Sequence, residues 1–182
     1  MSPGILPPPS FGLRLGPMST TRNWIQWTAG AVLLLALGLG LFLRRPEAEA
    51  GVRLEGQVQT AAGEAFDLAS LRGQPVVVNA WATWCGPCRR ELPMLLEQAR
   101  ANKRVRFVFL NQGEGPEAVR AYLEEAKLDM PDPLFDPSTE LVQRWGAQGL
   151  PTTYFFDAEG KLVAQHPGEL KEEQLLGYLS QL

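Results

Sequence analysis

Val76-Val-Val-Asn-Ala-Trp-Ala-Thr-Trp-Cys-Gly-Pro-Cys-Arg-Arg-Glu-Leu-Pro93 passes from a strand into a helix, with a pair of cysteines at the junction. Val76 to Val78 is a β-branched apolar run, the pattern of a strand buried on both faces. Cys85 and Cys88 follow, two residues apart, and helical spacing continues beyond them. At the mouth of a helix, unpaired N–H groups and the helix dipole favour an anion. The first thiol there loses its proton readily and becomes a nucleophile, Cys85. The second, Cys88, lies one turn along, less open to solvent, where it can resolve a mixed disulfide. Pro87 suits the first turn, since it has no N–H to leave unpaired and its φ is already helical.

Other uses of two cysteines fit less well. A structural zinc site takes about four ligands, and the chain has two Cys and one His, His166. Haem attachment requires His directly after the second Cys, where Arg89 stands. A purely structural disulfide across so short a loop removes little chain entropy. Cu(I) delivery also uses paired thiolates; Met94 is the one soft ligand nearby in sequence. No metal and no cofactor is called for by the redox reading.

Trp84-Cys85-Gly86-Pro87-Cys88 is the active-site pentapeptide of thioredoxins, and Asn79 to Pro93 resembles the TlpA/ResA branch of that superfamily. Gly149-Leu-Pro-Thr-Thr-Tyr-Phe-Phe-Asp157 resembles the cis-proline loop of the family and the strand after it. The resemblance runs from about Val52 to Leu182. It implies an α/β fold of thioredoxin type, a central mixed sheet flanked by helices. It also implies a second half of the site at Leu150-Pro151-Thr152, where a cis bond turns backbone groups toward an extended substrate. Trp84, Gly86, Pro87, Leu150, Pro151 and Thr152 are then the substrate-binding residues; Trp81 and Trp84 suit a shield over the dithiol, and Trp81 equally suits plain core.

Glu91 stands three residues after Cys88, on the same helical face. A carboxylate beside a buried thiol can accept its proton, and while ionised it raises thiol pKa values. The resemblance gives a glutamate at this motif position that role; the competing reading is a solvated charge beside Arg89 and Arg90. Asn79 departs from thioredoxins, which carry an ionisable Asp at the matching position. An amide transfers no proton at neutral pH, so Glu91 must compensate. His166 is expected on a strand, without a catalytic duty.

The 182 residues, 45% hydrophobic with 17 basic and 20 acidic side chains, suffice for one ordinary domain and an appendage. A net charge of −3 makes no case for nucleic acid. Residues 1–22 open with a Pro- and Gly-rich segment that reads as disordered; Met18-Ser-Thr-Thr-Arg22 resembles an ordinary start before a hydrophobic segment. Asn23 to Leu43 holds no charged residue and is long enough to cross a bilayer of about 30 Å as a helix. Trp24 and Trp27 suit its interface. A cleaved signal peptide competes, through Ala48-Glu-Ala50, but the length of the run and Arg44-Arg45 directly after it favour a retained anchor. Residues 44–51 form a linker and 52–182 the thioredoxin-like domain.

Along that domain, Arg53 to Thr60 reads as an edge strand and Glu64 to Leu68 as its hairpin partner. Leu68 to Gly73 is a short turn before the central strand Val76 to Ala80. A helix from about Pro87 to Asn102, kinked at Pro93, buries Leu92, Leu95, Leu96 and Ala99. Val105 to Leu110 is a second buried strand, and Asn111 to Gly115 a loop. The helix from Pro116, with Val119, Tyr122, Leu123 and Ala126 on one face, resembles with Leu128 to Phe135 the insertion of TlpA-like proteins. Pro137 to Trp145 is a short helix ended by Gly146. Tyr154 to Asp157 and Leu162 to Gln165 form a hairpin, and a closing helix buries Leu175, Leu176, Leu179 and Leu182.

The function expected is reduction of protein disulfides outside the cytoplasm. Gly-Pro between the cysteines is the pairing of thioredoxin, whose potential is about −270 mV. Resemblance implies a bacterial inner-membrane protein, single-pass, its catalytic domain facing the periplasm. It implies apocytochrome c as substrate, in cytochrome c maturation, and a membrane thiol reductase as electron donor. A disulfide-donating or isomerising protein and the Cu(I)-binding delivery protein are the alternatives.

Overall fold

The computed structural model describes residues 51–182. Seven strands form one mixed sheet: β1 (Gln57–Gln59), β2 (Ala65–Asp67), β3 (Val76–Trp81), β4 (Arg106–Gln112), β5 (Leu134–Asp136), β6 (Thr152–Phe156) and β7 (Leu162–Pro167). Their order across the sheet is β2-β1-β5-β4-β3-β6-β7. The helices are α1 (Gly86–Ala101), α2 (Pro116–Ala126), α3 (Glu140–Arg144) and α4 (Glu172–Leu179), and a 3-10 turn, Leu68–Leu71, precedes β3.

β3 lies between β4, parallel to it, and β6, antiparallel. All six of its residues are buried. Alternation sends Val77 and Trp81 to one face of the sheet, and Val76, Val78 and Ala80 to the other. Each face packs its own core. The first includes both cysteines with Leu92, Leu95 and Leu96 of α1 and Leu175 of α4. The second gathers Leu54, Leu68, Leu141, Val142 and Trp145 against Tyr154 and Phe156. A continuous apolar strand is what a position covered on both sides requires.

Several details differ from the sequence reading. The first strand is not an edge, because β1 pairs with both β2 and β5 and leaves β2 outermost. Asn111 and Gln112 belong to β4, not to the following loop. The pairing of Trp81 with Asn111 and of Gln112 with Asp136 carries the ladder two residues further. Ala126 and Leu176 are exposed, Leu176 by 50%, because α2 and α4 each bury a narrower stripe than their apolar content suggested. Ala99 and Leu182 are only partly buried, packed at the margin of the first core. Pro93 does lie inside α1, on its exposed side.

Among the described residues no helix is long and apolar enough to cross a membrane. The run Asn23 to Leu43, on which the expected anchor rests, lies outside the described residues.

Candidate active site

Trp81 ends β3, and Ala82-Thr-Trp84 carries the chain to Cys85, the N-cap of α1. Cys85 and Cys88 are joined as a disulfide. The Cys88 N–H points back at Cys85 Sγ, 3.3 Å away, so the first sulfur occupies the acceptor place of a helix cap. In the reduced protein the same N–H and the helix dipole would stabilise a thiolate there. Cys85 retains 5% exposure and Cys88 none, which separates an attackable sulfur from a protected one.

The β3–β6 register sets Thr152 opposite Ala80, so Pro151, one residue before, comes beside the end of β3 where the chain leaves for the dithiol. The Leu150–Pro151 bond is cis. Leu150 is half-buried and packs against the core cluster that contains both cysteines. The Pro151 carbonyl accepts from Gly168 N–H at 2.9 Å, tying this loop to the turn after β7.

The remaining residues expected to meet substrate divide by exposure. Trp84 is 71% exposed and offers an apolar face beside Cys85. Trp81 has no exposed surface, shares the core cluster of the cysteines, and its ring stands 5.9 Å from that of Tyr122. Gly86 is exposed and Pro87 half-buried at the start of α1. Thr152 is 1% exposed, with its hydroxyl donating to Gly149 O at 2.7 Å. That hydroxyl is used within the loop. His166 lies on β7, its ring near the Tyr178 hydroxyl and Glu169 O, each at 3.4 Å.

Glu91 is buried, 3% exposed, and not the solvated charge that its neighbours Arg89 and Arg90 suggest. Its Oε1 accepts from Asn79 Nδ2 at 2.8 Å and its Oε2 from Leu170 N–H at 2.6 Å. Asn79 Nδ2 also reaches Thr153 Oγ1 at 3.0 Å, directly across the β3–β6 register. Burial pushes the Glu91 carboxyl up to about 7, against the two hydrogen bonds, which favour the ionised form; the Glu169 charge adds to the rise. A carboxyl that titrates near neutrality, one helical turn from a buried sulfur, is suited to taking and returning a proton.

Sequence pattern alone does not single out Thr153 or Leu170. The Thr152-Thr153 doublet after Pro151 was the available sign of the first, since alternation sends one of the two toward the Asn79 face. Leu170 contributes a backbone N–H from 79 positions away, and no side-chain pattern reports that. Outside this buried group, Arg90 forms a two-toothed pair with Glu169, which holds the Glu169 carboxyl below its ordinary value. Among the described residues, no group of three or more His, Cys, Asp or Glu side chains is placed to hold a metal ion.

Residues 49–180 match the Redoxin family. Thiol-disulfide oxidoreductase ResA of Bacillus anthracis is 34% identical over 122 residues, 66% of this chain and 70% of that one. ResA of Bacillus subtilis (strain 168) is 31% identical over 120 residues, 65% and 66% of the two chains. A secreted Mycobacterium tuberculosis disulfide oxidoreductase homologous to E. coli DsbE superposes with a TM-score of 0.62 at 29% identity, covering 71% of this chain and 98% of its own. The exposed lipoprotein thioredoxin Etrx1 of Streptococcus pneumoniae strain TIGR4 gives 0.59 at 30% identity, with 70% and 99% covered. Sheet order, dithiol and these likenesses converge, and the chain belongs to the Redoxin family as a TlpA/ResA-like thiol–disulfide oxidoreductase of the thioredoxin superfamily.

Proposed function

We propose that the chain works as a reductase of protein disulfides outside the cytoplasm of a bacterium, held at the inner membrane by residues 23–43. The observation that carries the mechanism is the buried Glu91 carboxyl on the helix face of a fully buried Cys88. In the reduced protein, Cys85 thiolate attacks one sulfur of a substrate disulfide. A Cys85–substrate disulfide forms, and the first substrate thiolate leaves. Cys88 thiol then gives its proton to the Glu91 carboxylate, and the Cys88 thiolate attacks Cys85 Sγ. The Cys85–Cys88 disulfide closes and the second substrate thiolate leaves, so two electrons have passed to the substrate. Burial of Glu91 keeps that proton from exchanging directly with solvent.

Trp84, Gly86 and Pro87 face substrate from the dithiol side, and Leu150 and Pro151 from the proline loop. The substrate class is an extended segment of protein that presents a cystine, in keeping with apocytochrome c during cytochrome c maturation. The closed disulfide is reopened by a membrane thiol reductase. Gly86-Pro87 between the cysteines supports reduction over disulfide donation.

Equilibration of residues 52–182 with glutathione tests the direction. A potential well below the roughly −120 mV of a strong oxidant supports a reductase, and a value close to it overturns that reading. Membrane fractionation of the full chain tests the anchor. Retention with membranes supports it, whereas a shortened soluble protein beginning near Gly51 points to a cleaved signal.

A further inference from the structure

Glu114 lies on the loop between β4 and α2, half-buried, and nothing in its local sequence connects it with the dithiol. Its carboxylate nevertheless grips the segment that carries Cys85. Oε2 accepts from the Thr83 N–H at 2.8 Å, and Oε1 accepts from the Thr83 hydroxyl. Oε2 also accepts from Asn111 Nδ2 at 2.8 Å. Asn111 is fully buried and sits opposite Trp81 in the β3–β4 register, so the support on which Glu114 rests is itself fixed in the sheet. Among the described residues no Lys or Arg pairs with this carboxylate. Its acceptor capacity goes to three neutral donors, two of them on one residue.

Thr83 is the last residue before Trp84 and Cys85, and the short run from Ala82 has one other backbone bond of its own, Cys85 N–H to Ala82 O at 3.2 Å. A three-residue link with one internal bond can change its course without disturbing the strand before it or the helix after it. The exposed indole of Trp84 would move with it.

We infer that Glu114 is a positioning residue: by clamping both donors of Thr83 it fixes the Thr83–Trp84 segment, and hence the face on which a protein disulfide docks beside Cys85. The inference rests on thiol–disulfide exchange at this dithiol, in whichever direction it runs. Since reacting groups misplaced by about 1 Å can cost as much as 100-fold in rate, the clamp acts on rate and not on equilibrium. A small disulfide needs only the sulfur of Cys85, so it is less dependent on the docking face.

Glu114→Gln and Glu114→Ala separate geometry from charge. A glutamine can keep its oxygen toward the Thr83 and Asn111 N–H groups and turn its own N–H toward the Thr83 hydroxyl, which then accepts. Alanine removes every bond. Rates are measured with the full chain against insulin and against oxidised glutathione, at a temperature where circular dichroism shows each variant folded. Exchange from the closed form to a reduced protein dithiol is measured as well. Glu114→Ala should slow exchange with protein by about 10- to 100-fold in both directions, and the glutathione rate by much less. Glu114→Gln should remain within about threefold of wild type. Thr83→Val, which deletes the hydroxyl and leaves the N–H, should fall between them and serves if the alanine variant does not fold. A glutamine variant as slow as alanine, equal slowing of protein and glutathione, or Thr83→Val and Glu114→Ala both at the wild-type rate would each overturn the clamp. The net direction of electron flow in wild type judges the reductase reading separately, because the variant-to-wild-type ratios do not depend on it.

Discussion

Asn79 Nδ2 donates to Glu91 Oε1 across 2.8 Å, joining the middle of the central strand to the buried face of the active-site helix. The orientation of the amide follows from charge, since an ionised carboxylate accepts hydrogen bonds and cannot donate them. Asn79 Oδ1 has no partner and lies buried. When Glu91 takes a proton, a half-turn of the amide would bring Oδ1 to the carboxylic acid and to the Thr153 hydroxyl, and both could then donate. An asparagine can therefore serve both protonation states, although it carries no proton itself.

Replacing Asn79 with leucine removes a donor that favours ionised Glu91 and leaves burial to act with less opposition. The Glu91 carboxyl should move further above 7. Carbon NMR of the side-chain carboxyl against pH measures this directly, and an unchanged or lower midpoint would show that the Asn79 contact does not set the titration.

Glu91 also links stability to pH. Its folded pKa, about 7, exceeds the ordinary 4.5. Between those values the folded state holds more protons at this site than the unfolded chain. The Glu91 contribution to stability is therefore greatest below about pH 4.5, falls as pH rises, and levels off above about pH 7. The total loss is roughly 3 kcal/mol. Glu91→Gln should flatten that slope, so denaturant melts of the disulfide form should show wild type losing stability against the variant between about pH 4.5 and about pH 7. Parallel pH curves would contradict the rise.

The two cysteines should differ in what their loss does. Cys85→Ser removes the attacking sulfur and should abolish reduction of insulin. Cys88→Ser leaves attack intact and removes resolution, so mixed disulfides with substrate should accumulate and be visible on non-reducing gels. Reduction persisting in Cys85→Ser would reverse the assignment.

Trp81 and Trp84, three residues apart, should behave in opposite ways. Trp84, 71% exposed, should cost no more than about 0.5 kcal/mol of stability as alanine, yet slow exchange with protein disulfides. Trp81, with no exposed surface, should cost about 3–5 kcal/mol as alanine through the cavity it leaves. Thermal melts and insulin reduction on both variants check the contrast, and a stability loss for Trp84→Ala as large as that for Trp81→Ala would contradict it.

What was legible in the sequence was carried by local patterns. The Val76–Val78 run gave a doubly buried strand, the Cys spacing a helix mouth, and Pro151 before an aromatic strand the cis loop. The hidden parts depend on partners far along the chain. Glu91 is legible as a candidate three residues after Cys88, but its hydrogen-bond partners, Asn79 on the central strand and Leu170 beyond β7, are not. The place of β1 inside the sheet depends on a single pairing with β5, Gln59 with Phe135, which strand propensity does not encode. Thr152 and Thr153 read alike, yet one closes its own loop and the other supports Asn79.

The most direct test of the proton-accepting role is a thiolate titration of the reduced protein, followed by ultraviolet absorbance, paired with insulin reduction rates in wild type and Glu91→Gln. An ionised Glu91 beside the dithiol disfavours thiolates, so its neutral replacement should lower the apparent thiol pKa values. The same replacement removes the acceptor for the Cys88 proton, so reduction at neutral pH should slow although more Cys85 is ionised. Superimposable titrations with unchanged rates would contradict the role assigned to Glu91 and leave proton transfer to solvent.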